Sequence, residues 1–248
     1  MTSTETGSAD LHVHTRASDG LMSARELVDY VEEQTDLDVI AITDHDETSA
    51  SLEAREWAAR RGYRVQIIPG VEVTTRDGHL LALFIDERPP ALCGLASTVE
   101  WVLARGGLCL VPHPFTRWTH SLGARSLSQL PDGLLAGVEV LNASLAGRGS
   151  RPHAMRFAEA NGLASIGSSD AHTLAVIGLA RTRFRGRTPS DLRRALEDAT
   201  SVPEGRFATP REMASEAIPQ LARSMVHLPL RRIVRYARGS RPVASRTL

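Results

Sequence analysis

Short apolar runs recur along this chain and alternate with stretches whose apolar residues return every three or four positions. Segments 10–14, 39–43, 65–73, 79–85, 108–111, 138–141 and 164–167 have strand length and are bounded by polar or glycine-containing stretches. Between them, 24–33, 48–60, 97–105 and 152–161 carry a helical period. Ser23, Thr48 and Ser97 stand where N-caps belong, and Gly62, Gly106 and Gly162 stand where helices stop. A further strand is expected at 180–184, followed by a helix at 189–199 opened by Thr188-Pro189. This alternation predicts an α/β fold built on a mostly parallel sheet or barrel.

The pattern then decays. Pro203, Pro210, Pro219 and Pro229 interrupt any long helix, and arginines accumulate over 230–246. Three parts are therefore expected: a flexible N-terminus at 1–9, one domain at 10–202, and an Arg-rich C-terminal appendage at 203–248. The appendage mixes apolar residues with Arg223, Arg231, Arg232 and Arg235, a candidate for a weak surface or partner contact, against a solvated tail.

Composition narrows the function classes. With 248 residues and 42% hydrophobic positions the chain can bury a sizeable core. Basic and acidic residues balance at 29 each, which argues against wrapping nucleic acid or coating an anionic surface. All the basic residues are Arg. Cys93 and Cys109 are too few for a disulfide framework, which favours a reducing cytoplasm. The polar start shows no charged segment followed by an apolar one, and no run approaches the roughly 18 apolar residues that span a bilayer.

The histidines change the picture. Most of the nine sit at or just beyond the end of an expected strand, beside acids, where α/β folds assemble their sites. Asp10-Leu11-His12-Val13-His14-Thr15 places His12 and His14 on one strand face, with Asp19 beyond. Thr43-Asp44-His45-Asp46 follows a buried strand. Gly70-Val71-Glu72 has His79 downstream, and the remaining clusters are Pro112-His113-Pro114 and Ser168-Ser169-Asp170-Ala171-His172. Imidazole and carboxylate without thiolate suit Zn, Mn or Fe. So many ligands oversupply a single ion, so two or three divalent ions are expected, with Glu72 or Asp170 as the bridging carboxylate.

These motifs, in this order, resemble those of the PHP family, named for polymerase and histidinol phosphatase. The resemblance spans Asp10 to about Ala199 and is strongest toward compact bacterial members of the RNase AM and nucleotide-bisphosphate phosphatase type. It implies a distorted barrel of seven β/α units and a trinuclear site. By motif, one ion falls to His12, His14, Glu72 and Asp170, a second to Glu72, His79 and His113, and a third to Asp19, His45 and His172. Where some members carry another histidine, this chain has Glu139-Val140-Leu141-Asn142, which makes Asn142 a candidate weak ligand or substrate contact.

The implied reaction is hydrolysis of a phosphate ester by metal-activated hydroxide, with no side-chain nucleophile needed. Asp170, His172 and Asp46 are the catalytic candidates, the last two for the leaving oxygen. Arg117, Asn142 and Arg148 are the candidates for substrate phosphate, with His120 a weaker one. The expected substrate is a small phosphomonoester, a nucleotide or a short oligonucleotide. Histidinol-phosphate hydrolysis and a catalytically inactive, metal-stabilised binding module are the alternatives.

Overall fold

A computed structural model describes residues 5–117 and 119–212, apart from the side chains of Leu145 and Ala146. It contains a nine-stranded sheet in the order β7-β6-β5-β4-β3-β2-β1-β8-β9. The strands are β1 (Thr6–Asp10), β2 (Val39–Ile42), β3 (Gln66–Thr74), β4 (His79–Leu83), β5 (Leu108–Val111), β6 (Gly137–Asn142), β7 (Ala164–Ser168), β8 (Ala180–Arg185) and β9 (Val202–Gly205). The helices are α1 (Ala24–Gln34), α2 (Ser49–Arg61), α3 (Leu95–Leu103), α4 (Ala124–Leu127), α5 (Leu145–Ala160) and α6 (Pro189–Glu197).

The β-α-β alternation holds within β1-β2-β3 and within β5-β6-β7, and fails at β4 between them and at the β8-β9 end of the sheet. β1–β2, β2–β3, β5–β6 and β6–β7 are parallel, whereas β3–β4, β4–β5, β1–β8 and β8–β9 are antiparallel. The sheet is therefore mixed rather than mostly parallel. The reason is local: Thr75-Arg76-Asp77-Gly78 is too short for a crossover helix, and β4 returns as a hairpin with Thr74 opposite His79. That reversal brings the start of β4, with His79, to the edge where the parallel strands end.

The sheet curls until its two sides nearly meet, making a distorted, almost closed α/β barrel. At the seam the Gly167 amide donates to Thr182 Oγ1 (3.1 Å), and that hydroxyl donates to the Gly167 carbonyl (2.8 Å). Above the seam the chains leaving β1 and β7 run together, with Val13 bridging Ala171. The interior is plugged by small and branched residues, among them Ala9, Leu11, Ala41, Ile68, Leu83, Leu110 and Ile166. Phe184 and the Leu192 and Leu196 face of α6 complete this plug.

Capping follows the sequence in part. Ser23 makes the full capping box with Glu26, and Gly62 closes α2 in the left-handed conformation. Thr48 occupies the N-cap position without a side-chain bond, and Ser97 lies inside α3, whose N-cap is Gly94. Helix α5 starts seven residues before the expected 152, at Leu145, and accommodates Pro152 within its length.

The part boundaries also move. Thr6–Asp10 forms an inner strand between β2 and β8, buried from Gly7 on, and all but its last residue falls in the segment 1–9 expected to be flexible. At the other end β9 and the chain just after it belong to the barrel, inside the expected appendage. Arg206 N donates to Leu179 O and Ala208 N to Ala143 O. The Arg-rich stretch 230–246 lies outside the described residues. Among those described, no helix is long and apolar enough to cross a membrane.

Candidate metal centre

The site lies at the rim of the barrel where the parallel strands end. His12 and His14 follow β1, which ends at Asp10, so they stand on its extended continuation rather than within the strand itself. Asp44 and His45 follow β2, Glu72 sits in β3, His79 opens β4, His113 follows β5, and Asp170 follows β7. His113, Asp170 and Asp46 have φ of +28°, +54° and +50°, backbone conformations that non-glycine residues keep only where surrounding contacts enforce them.

Glu72, 1% exposed, is the hub. Its Oε2 lies 3.3 Å from His12 Nε2, 3.3 Å from His14 Nε2 and 3.2 Å from His45 Nδ1. Its Oε1 lies 2.8 Å from His79 Nδ1 and 3.0 Å from His113 Nε2. Asp170 Oδ1 adds a second carboxylate, 3.4 Å from His12 Nε2 and 3.3 Å from His14 Nε2. On the other side Asp19 Oδ2 stands 3.2 Å from His172 Nε2 and 3.8 Å from His45 Nε2. His14 and His172 stack with ring centroids 4.3 Å apart.

This crowding is the fingerprint of a cation site. His12 Nε2, His14 Nε2, His45 Nδ1 and His79 Nδ1 are buried without a hydrogen-bond partner, a condition that costs about 1–3 kcal/mol per group. Divalent ions accepted by those lone pairs remove the cost. Ligand atoms converge within 4.8 Å in the sets His12-His14-Asp170, His12-Glu72-His113, His14-His45-Glu72 and His14-Asp19-His172. Buried imidazoles and carboxylates with no thiolate fit Zn, Mn or Fe.

Electrostatics support the same reading. Burial alone would raise the carboxyl of Glu72, yet the imidazoles of His79, His45 and His12 outweigh it and hold Glu72 well below its usual range. Asp170 and Asp19 are held down in the same way, against burial, chiefly by His12 and by His172. Burial opposes charge on His172, but Asp19 prevails and lifts it to about 9. His45 goes the other way, to about 3, because burial is only partly offset by Glu72 and Asp19. Without metal the cluster is thus a set of acids holding protons on some imidazoles, a charge pattern that cations can replace.

A second layer fixes the ligands. Glu139, 2% exposed, accepts from the His113 amide (2.6 Å) and from Asn142 Nδ2 (2.8 Å), and faces His12 Nδ1 at 3.2 Å. A carboxylate only accepts, so His12 carries its proton on Nδ1 and leaves Nε2 for the cluster. His113 Nδ1 lies 3.1 Å from Ser121 Oγ. Asp44 accepts from Thr15 N, Thr15 Oγ1 and Ser18, tying down the loop that presents Asp19. Asp10, pushed up to about 6 by burial, accepts the Ser169 and Gly178 amides and anchors the loop carrying Asp170.

Every residue named from the motifs as a candidate ligand lies in this cluster, with one difference in grouping. His45 turns Nδ1 toward Glu72 and only its far nitrogen toward Asp19. The phosphate and leaving-group candidates fare differently. Asp46 Oδ1 accepts the Thr74 amide at 2.8 Å, and Asp46 does not line the cleft. Asn142 donates to Glu139 and to Asp170 Oδ2 (3.2 Å), so it positions acids rather than facing a phosphate. Arg117 is exposed and away from the cleft wall, and Arg148 lies against the Phe207 ring in a neighbouring groove. His120 packs edge-on to His79, with ring centroids 5.1 Å apart. Reading the sequence had passed over Glu139 as a ligand partner. Its signal was there: an acid on the inner face of an apolar strand has to be paired.

The cleft above the cluster has a volume of about 260 Å³ and is lined by Asp19, His45, Glu72, His113, Asp170 and His172, together with Ser144 and Ala208. A near-closed α/β barrel whose rim carries such a buried His and carboxylate cluster defines a metal-dependent phosphoesterase scaffold. Comparison with known proteins gives the family. Residues 10–108 match the PHP domain and residues 150–201 the PHP-associated segment. An uncharacterized protein of Methanocaldococcus jannaschii, MJ1587, is 33% identical over 145 residues, 54% of this chain and 81% of its own length. The 5'-3' exoribonuclease Rnm of Salmonella typhimurium is 43% identical over 104 residues, but the match spans only 40% of this chain and 35% of that enzyme. A solved two-domain protein from Bacteroides vulgatus, described as containing a predicted PHP-like metal-dependent phosphoesterase, superposes with a TM-score of 0.69 at 21% identity. It covers 88% of this chain and 70% of that one. The chain belongs to the PHP family of metal-dependent phosphoesterases.

Proposed function

We propose that this chain hydrolyses a small phosphate ester, a nucleotide or the end of a short oligonucleotide, with two or three divalent ions of the Mn, Zn or Fe type. The observation that carries this reading is the convergence of partnerless buried imidazole nitrogens on Glu72 beneath an open cleft. When bound, the ions supply an acidified water and counter the charge on the phosphoryl oxygens. His12, His14, Glu72 and Asp170 would hold one, Glu72, His79 and His113 another, and Asp19 with His172 and His45 a third.

The chain's own groups do the rest. Glu139 and Asn142 orient His12, the His113 amide and Asp170. With two ions bound and the position beside Asp19 empty, His172, on the cleft wall with its ring nitrogen 3.2 Å from Asp19, keeps its proton and is placed to hand it to the departing oxygen; with a third ion bound it is a ligand instead. Asp46 has no such access, so the leaving-group role falls to His172. The exoribonuclease relative acts on RNA, which supports a nucleotide-type substrate. Both cysteines are free, and burial pushes the Cys109 thiol up to about 12, which leaves it a packing residue rather than a nucleophile.

The test is phosphate release from a panel of nucleotides, sugar phosphates, short oligonucleotides and histidinol phosphate, by metal-loaded wild type and Asp170→Asn. Release by the wild type at least a hundredfold above the variant supports the reading and names the substrate class. No release from any phosphoester by fully loaded protein makes a non-catalytic binding module the better account.

A further inference from the structure

The loop that follows β5 carries three hydroxyl side chains that meet beside one of the candidate ligands. Thr116 Oγ1 lies 2.6 Å from Thr119 Oγ1 and 2.7 Å from Ser121 Oγ, and Thr119 Oγ1 lies 2.6 Å from Ser121 Oγ, so the oxygens close a triangle. Two of its corners face His113: Ser121 Oγ stands 3.1 Å from Nδ1, and Thr119 Oγ1 stands 3.3 Å from it. Ser121 also donates to the His113 carbonyl oxygen at 2.8 Å. One side chain thus meets both the ring and the backbone of His113, whose φ of +28° is a conformation that surrounding contacts must hold.

The triangle stands on a fixed base. Phe115 N donates to Leu122 O (3.1 Å), Ser121 N to Thr119 O (2.8 Å), and His79 N to His120 O (2.7 Å). Gly78, with φ of +150°, lets the β3–β4 hairpin come this close, since a Cβ there would lie 2.6 Å from Leu122 N. The stretch carrying Ser121 is therefore tied at once to the start of β4, which supplies His79, and to the turn after β5, which supplies His113.

Proton bookkeeping decides which way the ring contact runs. Three hydroxyl hydrogens serve four short contacts, the sides of the triangle and the His113 carbonyl oxygen. None is left for Nδ1, so that contact is satisfied only when the imidazole donates. A neutral ring that donates from Nδ1 carries its lone pair on Nε2, the atom 3.0 Å from Glu72 Oε1.

We infer that Ser121, backed by Thr116 and Thr119, is the positioning residue of His113. It keeps the proton on Nδ1 and aims Nε2 at Glu72, so that the cation shared by Glu72, His79 and His113 is bound tightly only while this hydroxyl group is in place. The inference rests on reading the cluster as a divalent-cation site. The sets built on His12, His14 and Asp170, and on Asp19 and His172, draw nothing from the triangle, so the effect of losing it is confined to one ion.

The experiment uses zinc alone on the full chain, as wild type, Ser121→Ala, Ser121→Thr and Ser121→Ala/Thr119→Val. Stepwise affinities come from competition with a chromophoric chelator, and ¹⁵N NMR of the imidazoles reads which His113 nitrogen carries the proton. Ser121→Ala should weaken one ion by about 10–100-fold and leave the others unchanged. At stoichiometric zinc the His113 signals should then lose the pattern of a protonated Nδ1 and a ligating Nε2. Ser121→Thr, which keeps the hydroxyl, should restore most of both. A purely structural role predicts something else: all ions weakened together with the melting temperature, and no change particular to His113. That result overturns the inference, as do unchanged stepwise affinities and an unchanged His113 pattern in both Ser121→Ala and the double variant. If wild type binds no zinc, the cation reading falls by itself. The positioning role then stands where neutral His113 of metal-free protein is protonated on Nδ1 in wild type and mixed in Ser121→Ala, and falls where the two proteins show the same tautomer.

Discussion

Replacing Glu139 by Gln changes one oxygen to an amide nitrogen without changing shape, and its consequence reaches the metal cluster through a proton. In the native protein Oε2 of Glu139 accepts from two donors, the His113 amide and Asn142 Nδ2, while Oε1 faces His12 Nδ1. The variant's remaining oxygen satisfies the two donors, so its NH2 group points at His12 Nδ1. Two donors cannot share that contact. His12 must move its proton to Nε2, the atom 3.3 Å from Glu72 Oε2 and 3.4 Å from Asp170 Oδ1. That withdraws one lone pair from the cluster. Losing such a supporting partner costs about 10–100-fold in metal affinity, or about 1.4–2.7 kcal/mol at 1.36 kcal/mol per decade. Competition against a chromophoric chelator measures the affinity, and ¹⁵N NMR of the imidazoles reads the tautomer. Wild-type affinity in Glu139→Gln, with His12 still protonated on Nδ1, would refute the reasoning.

Three further outcomes follow from the geometry. Metal at about 100 times its dissociation constant should stabilise the fold by about 2.7 kcal/mol, a melting shift of about 5–11 °C for a chain of this size; an unchanged melting point with and without chelator contradicts this. In metal-free protein, His172, lifted to about 9 from 6.5, contributes stability fully below pH 6.5 and loses it as pH rises through 9; the same proton must leave for a cation, so metal affinity should climb over that window, read by chelator titrations from pH 6.5 to 9.5. Asp46→Ala removes the acceptor of the buried Thr74 amide and should cost about 1–3 kcal/mol of stability in denaturant melts; a loss of activity without a loss of stability would return Asp46 to the chemistry.

The sequence made the ligands legible because each sits where an apolar run ends, and imidazole clusters in such places have few structural uses. His12, His14, Glu72, His113 and Asp170 needed only strand periodicity and motif order. The hairpin at 75–78 was harder to read as a topological switch, because β4 is apolar like the parallel strands and differs only in its short connection. The first two turns of α5 were hidden by Gly147, Gly149 and Pro152, whose low helix propensity is overridden by packing of Ala154 and Ala158 on the sheet. β1 was placed late because Thr6-Gly7-Ser8 is polar and small, yet Gly7 and Ser8 lie buried between two strands. Arg117 and Asp46 were nominated by nearness along the chain to a candidate ligand, and Arg148 by its place in the stretch Gly147-Arg148-Gly149. Neither says which way a side chain turns.

The central claim, that Glu72 is the hub of a cation cluster, is tested most directly by elemental analysis of wild type and Glu72→Gln, each reconstituted with manganese or zinc and freed of excess. The expected result is two or three ions per wild-type chain and at least one fewer in the variant, with both proteins folded by circular dichroism. Wild-type protein that holds no stoichiometric metal, or a variant that retains the full complement, would contradict it.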